Sequence, residues 1–313
     1  INYYFSGLTP FAYKLTNLAI HLINGFLVFS FCYLLMNAYA QRFLLQININ
    51  TAGITASLVA VIWLLQPVNL SSVLYVVQRM ASLASLFTLC ALIAYIYGRV
   101  QLNNNRPGGW TILLSTLVFM PAAALCKEIG LLIPLYLLII EATVFRFQAP
   151  KASSRHAIRG FFLVFAILPA CALLAYIAAN PGFIANSYNW REFTLAERLL
   201  TEPRVIWSYI QWILIPTNES LSLFHDDIVV SKSFINPITT SLAVLGIAAL
   251  LIAAWRLHEP APLASFGILF FLGGHSMESS FLGLELVHEH RNYLPQLGIL
   301  LPLIYYLVKM SDS

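Results

Sequence analysis

Apolar runs about as long as a bilayer's hydrocarbon core recur from one end of this chain to the other. They fix its class before any single residue does. A membrane core needs about 20 mostly apolar residues per helix. Runs approaching that length lie near 16–38, 52–66, 80–98, 110–126, 129–145, 160–179, 237–255, 263–277 and 293–309. Only 10% of the 313 residues are charged, against roughly 25% in a soluble domain, so nothing is left over for a soluble domain. The expected fold is one all-α, polytopic transmembrane bundle over 1–313, with about nine or ten spans. The stretch "VIWSYIQWILIP" at 205–216 is too short to cross and reads as an interfacial or re-entrant helix ended by Pro216.

Charge adds orientation rather than a partner. The net charge of +4 is small and spread along the loops, so no nucleic-acid partner is expected. Arg146, Lys151, Arg155 and Arg159 make the clearest basic cluster, and by the positive-inside rule they stay cytoplasmic. The acids then fall on the outer face, many of them in a long outer loop region, 180–236. Cys32, Cys90, Cys126 and Cys171 lie in or beside apolar runs without metal-like spacing and read as buried small hydrophobes. The opening "INYYFSGLTPFAYKL" has the aromatic, turn-rich composition of a membrane interface and no basic leader, which reads as a chain joined in mid-protein.

Polar chemistry collects at four outer places. Gln78-Arg79 leads directly into an apolar helix, where an arginine either anchors at the interface or faces a cavity. Lys127-Glu128 separates two apolar runs with scarcely a loop between them. His225, Asp226 and Asp227 carry metal-ligand chemistry in the outer loop, making a divalent cation a possible cofactor, although adjacent exposed aspartates are more often simply solvated. The fourth is "LVHEHRNYLP", with His288, Glu289, His290 and Arg291. On a helix Glu285 and Glu289 would share one face, and His288 and Arg291 another. Two histidines flanking one glutamate lack the spacing of a zinc-protease helix, so that reading is rejected. The sequons at Asn69 and Asn218 stay open.

Basic groups at the outer edge of a membrane cavity suit a lipid-linked phosphate: arginine offers a fork of donors to its oxygens and lysine a point charge. Arg79, Lys127 and Arg291 are the candidates to hold that phosphate. Gln78, Glu128, His288, Glu289, His290 and Tyr293 would position them, handle protons or touch the substrate. Tyr293 would mark the interface, and Pro295 would open the last span.

The segments "HLINGFLVFSFCYLL", "QPVNLSSVLYVVQRMASLASLFTLCALIAYIYGR", "CKEIGLLIPLYLLIIEATVF" and "EHRNYLPQLGILLPLIYYL" occur in the order seen in a known family. The chain resembles the transmembrane part of O-mannosyltransferase-like proteins with C-terminal tetratricopeptide repeats, and their bacterial relatives, in the GT-C superfamily of membrane glycosyltransferases. The resemblance covers most of the chain, and its markers are Gln78-Arg79, Lys127-Glu128 and the box from Glu289 to Pro295. It implies transfer of a sugar from a polyprenyl-phosphate carrier to a protein or glycan acceptor, with a carboxylate as base. It places the protein in membrane lipid, in a bacterial inner membrane, with its site on the periplasmic side. The family's first outer loop carries that carboxylate, which is expected upstream of Ile1, and the repeats are expected beyond the chain's end. An oligosaccharide ligase or polymerase would share many of these features. A transporter would instead show mid-membrane charges on broken helices.

Overall fold

A computed structural model describes residues 2–43, 49–217, 221, 225 and 228–311. Asp226, Asp227 and the Asn218 sequon lie outside the described residues. Among those described there is no strand, and the fold is an all-α helix bundle. Six helices among the described residues are long and apolar enough to cross a membrane: α1 (Pro10–Arg42), α4 (Val76–Asn103), α5 (Gly109–Cys126), α6 (Glu128–Phe145), α7 (Ala152–Ala179) and α9 (Thr239–Leu257). A bent pair, α2 (Thr51–Leu65) with the following Pro67–Leu74, turns by 54° at the break and has the length and composition of either one broken span or a re-entrant loop; the last turns of that segment form α3 (Leu70–Leu74).

That is fewer full-length crossings than the nine runs suggest. The runs at 263–277 and 293–309 fold as α10 (Pro262–His275) and α11 (Leu297–Ser311), of 14 and 15 residues. The polar turn at 276–280 ends α10, and the turn at 289–296 delays the start of α11, so each is shorter than a bilayer-length helix. The run at 205–216 is the second half of a longer helix, α8 (Leu195–Leu214). Thr194 and Glu197 form a reciprocal capping box at its start, and Pro203 is tolerated inside it. The helix begins ten residues earlier than its apolar stretch because the cap, rather than hydrophobicity, sets its N-terminus.

The prolines shape the long helices as well. A π-helical turn covers Ser115–Phe119 just before Pro121, and another covers Leu163–Ile167 just before Pro169. A proline cannot donate to the carbonyl four residues back and crowds it; the wider turn relieves that clash without ending the helix. Arg99 is fully buried inside α4, which continues to Asn103. Cys32 is buried, whereas Cys171 is exposed on α7, a helix only 11% buried over its apolar window and therefore free to face lipid.

The chain divides into two compact units, Ile1–Ile133 with Glu289–Ser313, and Pro134–His288. In the first, α1 packs on α2 and α4, α11 packs on α2, and α5 packs on α4. Gly25 permits the α1–α2 contact, since a Cβ there would lie 2.5 Å from the Leu64 side chain. In the second unit α9 packs on both α8 and α10.

Candidate functional site

One face of α1 carries the polar groups around which the first unit is organised. Asn17, His21 and Asn24 recur at helical spacing in an apolar run, and all three are buried. Asn17 accepts from Arg79 Nε at 2.7 Å and donates to the Tyr75 carbonyl at 3.0 Å. One turn on, His21 meets Tyr293: its Nδ1 lies 2.8 Å from the phenol oxygen, and its Nε2 lies 3.1 Å from the Leu64 carbonyl. A carbonyl only accepts, so Nε2 carries the proton and the Tyr293 hydroxyl donates to Nδ1. Asn24 completes the chain, donating to Tyr293 Oη at 3.1 Å and to the Ser82 carbonyl at 2.9 Å.

This network caps a broken helix. Carbonyls near the end of α2 lose their helical partners at Gln66-Pro67. Trp63 O accepts from Asn69 Nδ2 at 2.7 Å, and Leu64 O accepts from His21. Trp63 Nε1 donates to the Tyr293 carbonyl at 2.8 Å, and Gln296 Nε2 donates to Asn69 Oδ1 at 2.7 Å. Irregular backbone buried within an apolar bundle persists only when the protein satisfies it, and here protein side chains do so. Asn69, buried and bonded on both sides of its amide, is a structural residue rather than an exposed sequon.

The sequence candidates thus fall into two kinds of place. Arg79 is half-buried at the start of α4, held by Asn17 and by the Tyr13 carbonyl (Nη2, 3.1 Å), with its guanidinium 5.7 Å from the Tyr13 ring centroid. No carboxylate pairs with it among the described residues, and its other N–H groups are unspent. The hydrogen bonds of α1 bring Arg79 and the Glu289–Pro295 box together: they engage residues four apart on one helix face, about 6 Å along its axis. Lys127 lies buried in an extended residue between α5 and a 3-10 turn, Glu128–Leu132, while Glu128 is exposed. Gly130 sets that turn's geometry, because a Cβ there would lie 2.4 Å from the Ala124 backbone nitrogen.

The box itself differs from its helical reading. Residues 285–288 are irregular, and Glu289–Asn292 form a 3-10 turn packed against Pro67–Asn69 and α3. The shared faces drawn for Glu285 with Glu289, and for His288 with Arg291, therefore do not exist. Glu289, His290 and Arg291 are buried, and Tyr293, 1% exposed, is a core residue rather than an interfacial marker. Two of its neighbours are aromatic: His21 stacks on Trp63 at 4.9 Å, and Trp63 meets Tyr293 edge-on at 4.8 Å. The last helix starts at Leu297, beyond Pro295. Gln78 is half-buried in the turn before Arg79.

The remaining candidates belong to the second unit. The His288 amide donates to Tyr209 Oη at 3.0 Å. His225 stacks on Trp212 with centroids 4.7 Å apart. Among the described residues no three histidine, cysteine or acidic side chains gather as metal ligands.

Two arginines that the sequence did not single out organise this unit. Arg198, fully buried in α8, donates to the carbonyls of Ser280 (2.8 Å), Glu278 (2.6 Å), Leu284 and Glu285 (3.3 Å), and forms an ion pair with Glu202 at 2.7 Å. Arg191 donates to Gly283 O at 2.8 Å and pairs with Glu285. Together they hold residues 278–285, which have no regular structure of their own. The available signal was the Arg198–Glu202 spacing of four on a helix. The carbonyl cage could not be read from sequence, since its acceptors lie about 80 residues away.

The chain is similar to "Protein O-mannosyl-transferase TMTC3" of Homo sapiens, 28% identical over 131 residues. The match covers 42% of this chain and 12% of that protein, so the chain spans only a small part of that relative's length. No known family profile and no solved structure matches. At this identity and coverage the match supports a distant relationship to that O-mannosyltransferase.

Proposed function

We propose that the protein is a GT-C-type glycosyltransferase that moves a sugar from a polyprenyl-phosphate carrier to a protein or glycan acceptor at the outer face of a bacterial inner membrane. One observation carries the reading. Arg79 is fixed by two hydrogen bonds and a ring, yet its charge is uncompensated among the described residues. An arginine in apolar surroundings is costly unless it meets an anion, and a lipid phosphate is the anion found at that depth. Lys127 and Arg291 add charge in the same unit, and the bonds from α1 hold the Glu289–Pro295 box beside Arg79.

In this reading Arg79, Lys127 and Arg291 hold the carrier phosphate. Gln78, Glu128, Glu289 and His290 contact the sugar or orient those cations. Tyr293 positions the box through His21 and Asn24. Pre-positioned cations would stabilise charge developing on the leaving phosphate as the sugar departs. The name of the human relative makes mannose the first sugar to try.

The test uses the complete gene product, purified in detergent and incubated with radiolabelled polyprenyl-phosphate sugars and membrane extract. Label should enter protein or glycolipid, and Arg79→Ala should abolish that transfer while the protein stays folded. Unchanged transfer in Arg79→Ala would remove it from the site. Transfer of a whole oligosaccharide would instead favour a ligase or polymerase.

A further inference from the structure

The second unit contains a groove of about 590 Å³ at the end of α7 farthest from the basic 146–159 segment. Ile177, Pro181, Ile184 and Phe193 give it an apolar wall, and Tyr188, Arg191 and Glu192 stand at its rim. α7 is the least buried of the six long apolar helices, so a groove at its end opens where lipid tails meet headgroups. Exposed Tyr176, Phe183 and Trp190 are sequence neighbours of its lining residues, and their types settle at that depth.

The rim charges select the headgroup. Arg191 is oriented by Gly283 and Glu285, and its Nη2 has no protein partner among the described residues. Glu192 is exposed and has no protein partner among them either. With one cation and two carboxylates, Glu192 and Glu285, a purely anionic headgroup is poorly matched. We propose that this groove holds one hydrocarbon chain of a phospholipid whose headgroup carries a primary ammonium, with Glu192 taking the ammonium and Arg191 the phosphate. This resident lipid shares no residue with the proposed carrier-phosphate set. It would fix the segment 181–195 against the membrane.

The experiment measures lipid retained by the purified protein, by native mass spectrometry, after exchange into phosphatidylethanolamine or phosphatidylglycerol of identical chains. Wild type should retain phosphatidylethanolamine roughly tenfold better, the order of one charge-assisted hydrogen bond at a partly solvated site. Glu192→Gln, on an exposed and unpartnered side chain, should remove that preference without altering the melting curve. Ala185→Trp, filling the groove from an exposed position, should reduce retention of both lipids. Equal retention by wild type, or a preference that survives Glu192→Gln, overturns the proposal. So does displacement of the bound phospholipid by polyprenyl phosphate, which would assign the groove to the carrier. None of these readings depends on sugar transfer, so failure here is distinct from failure of the proposed activity.

Discussion

Replacing Tyr293 by Phe removes one oxygen and nothing else from the core of the first unit. That oxygen donates to His21 Nδ1 and accepts from Asn24 Nδ2, so its loss strands a lone pair on one side and an N–H on the other. His21 cannot respond by changing tautomer, because its other nitrogen would then face the Leu64 carbonyl without a proton. In a water-soluble core each stranded group would cost about 1–3 kcal/mol. In a bilayer the unfolded reference finds partners of its own, and interhelical bonds average about 0.6 kcal/mol, with a maximum near 1.7. Two such bonds put the expected loss at roughly 1–3 kcal/mol. The measurement is unfolding in mixed micelles for Tyr293→Phe, His21→Ala and the double variant. A coupling clearly above the roughly 0.3–0.5 kcal/mol scatter of independent sites is expected. A coupling inside that scatter would refute the bridging hydroxyl, and with it the argument that this network holds the box beside Arg79.

Two further outcomes follow from the second unit. Arg198→Met removes the ion pair of the buried Glu202 carboxylate and one donor from each of four carbonyls, so it should cost about 3–5 kcal/mol; Arg191→Met, at a partly exposed pair, should cost about 0–1. Detergent melting curves rank the two, and equal losses would contradict the cage. Lys232 and the Thr194 cap hold the Glu197 carboxyl down at about 2, below its ordinary 4.5. A lowered value stabilises the fold above the ordinary value and is lost as pH falls from about 4.5 towards 2. Melting temperature should fall across that window in wild type and fall less in Glu197→Gln; identical profiles would refute the capping box as a stabilising contact.

Much of this was legible in the residues themselves. Run length and the scarcity of charge determine an all-α membrane bundle, because a backbone in lipid must satisfy itself within helices. The order of Gln78-Arg79, Lys127-Glu128 and Glu289–Pro295 suggested the family to which the human relative distantly points. Even Asn17, His21 and Asn24 announce a polar stripe on α1 by their spacing, although an apolar run draws the eye away from them. Tertiary structure decided the rest, because it depends on partners far apart in sequence. Hydrophobicity cannot tell a crossing helix from α10, which stops short at a polar turn, or show that α11 starts only at Leu297. Nor can it show that Tyr293 is a core residue bonded across some 270 positions to His21, or that Arg198 gathers four carbonyls about 80 residues away. The residue types say which groups need partners; only the packed chain chooses them, since a buried donor takes whichever acceptor the fold brings within reach.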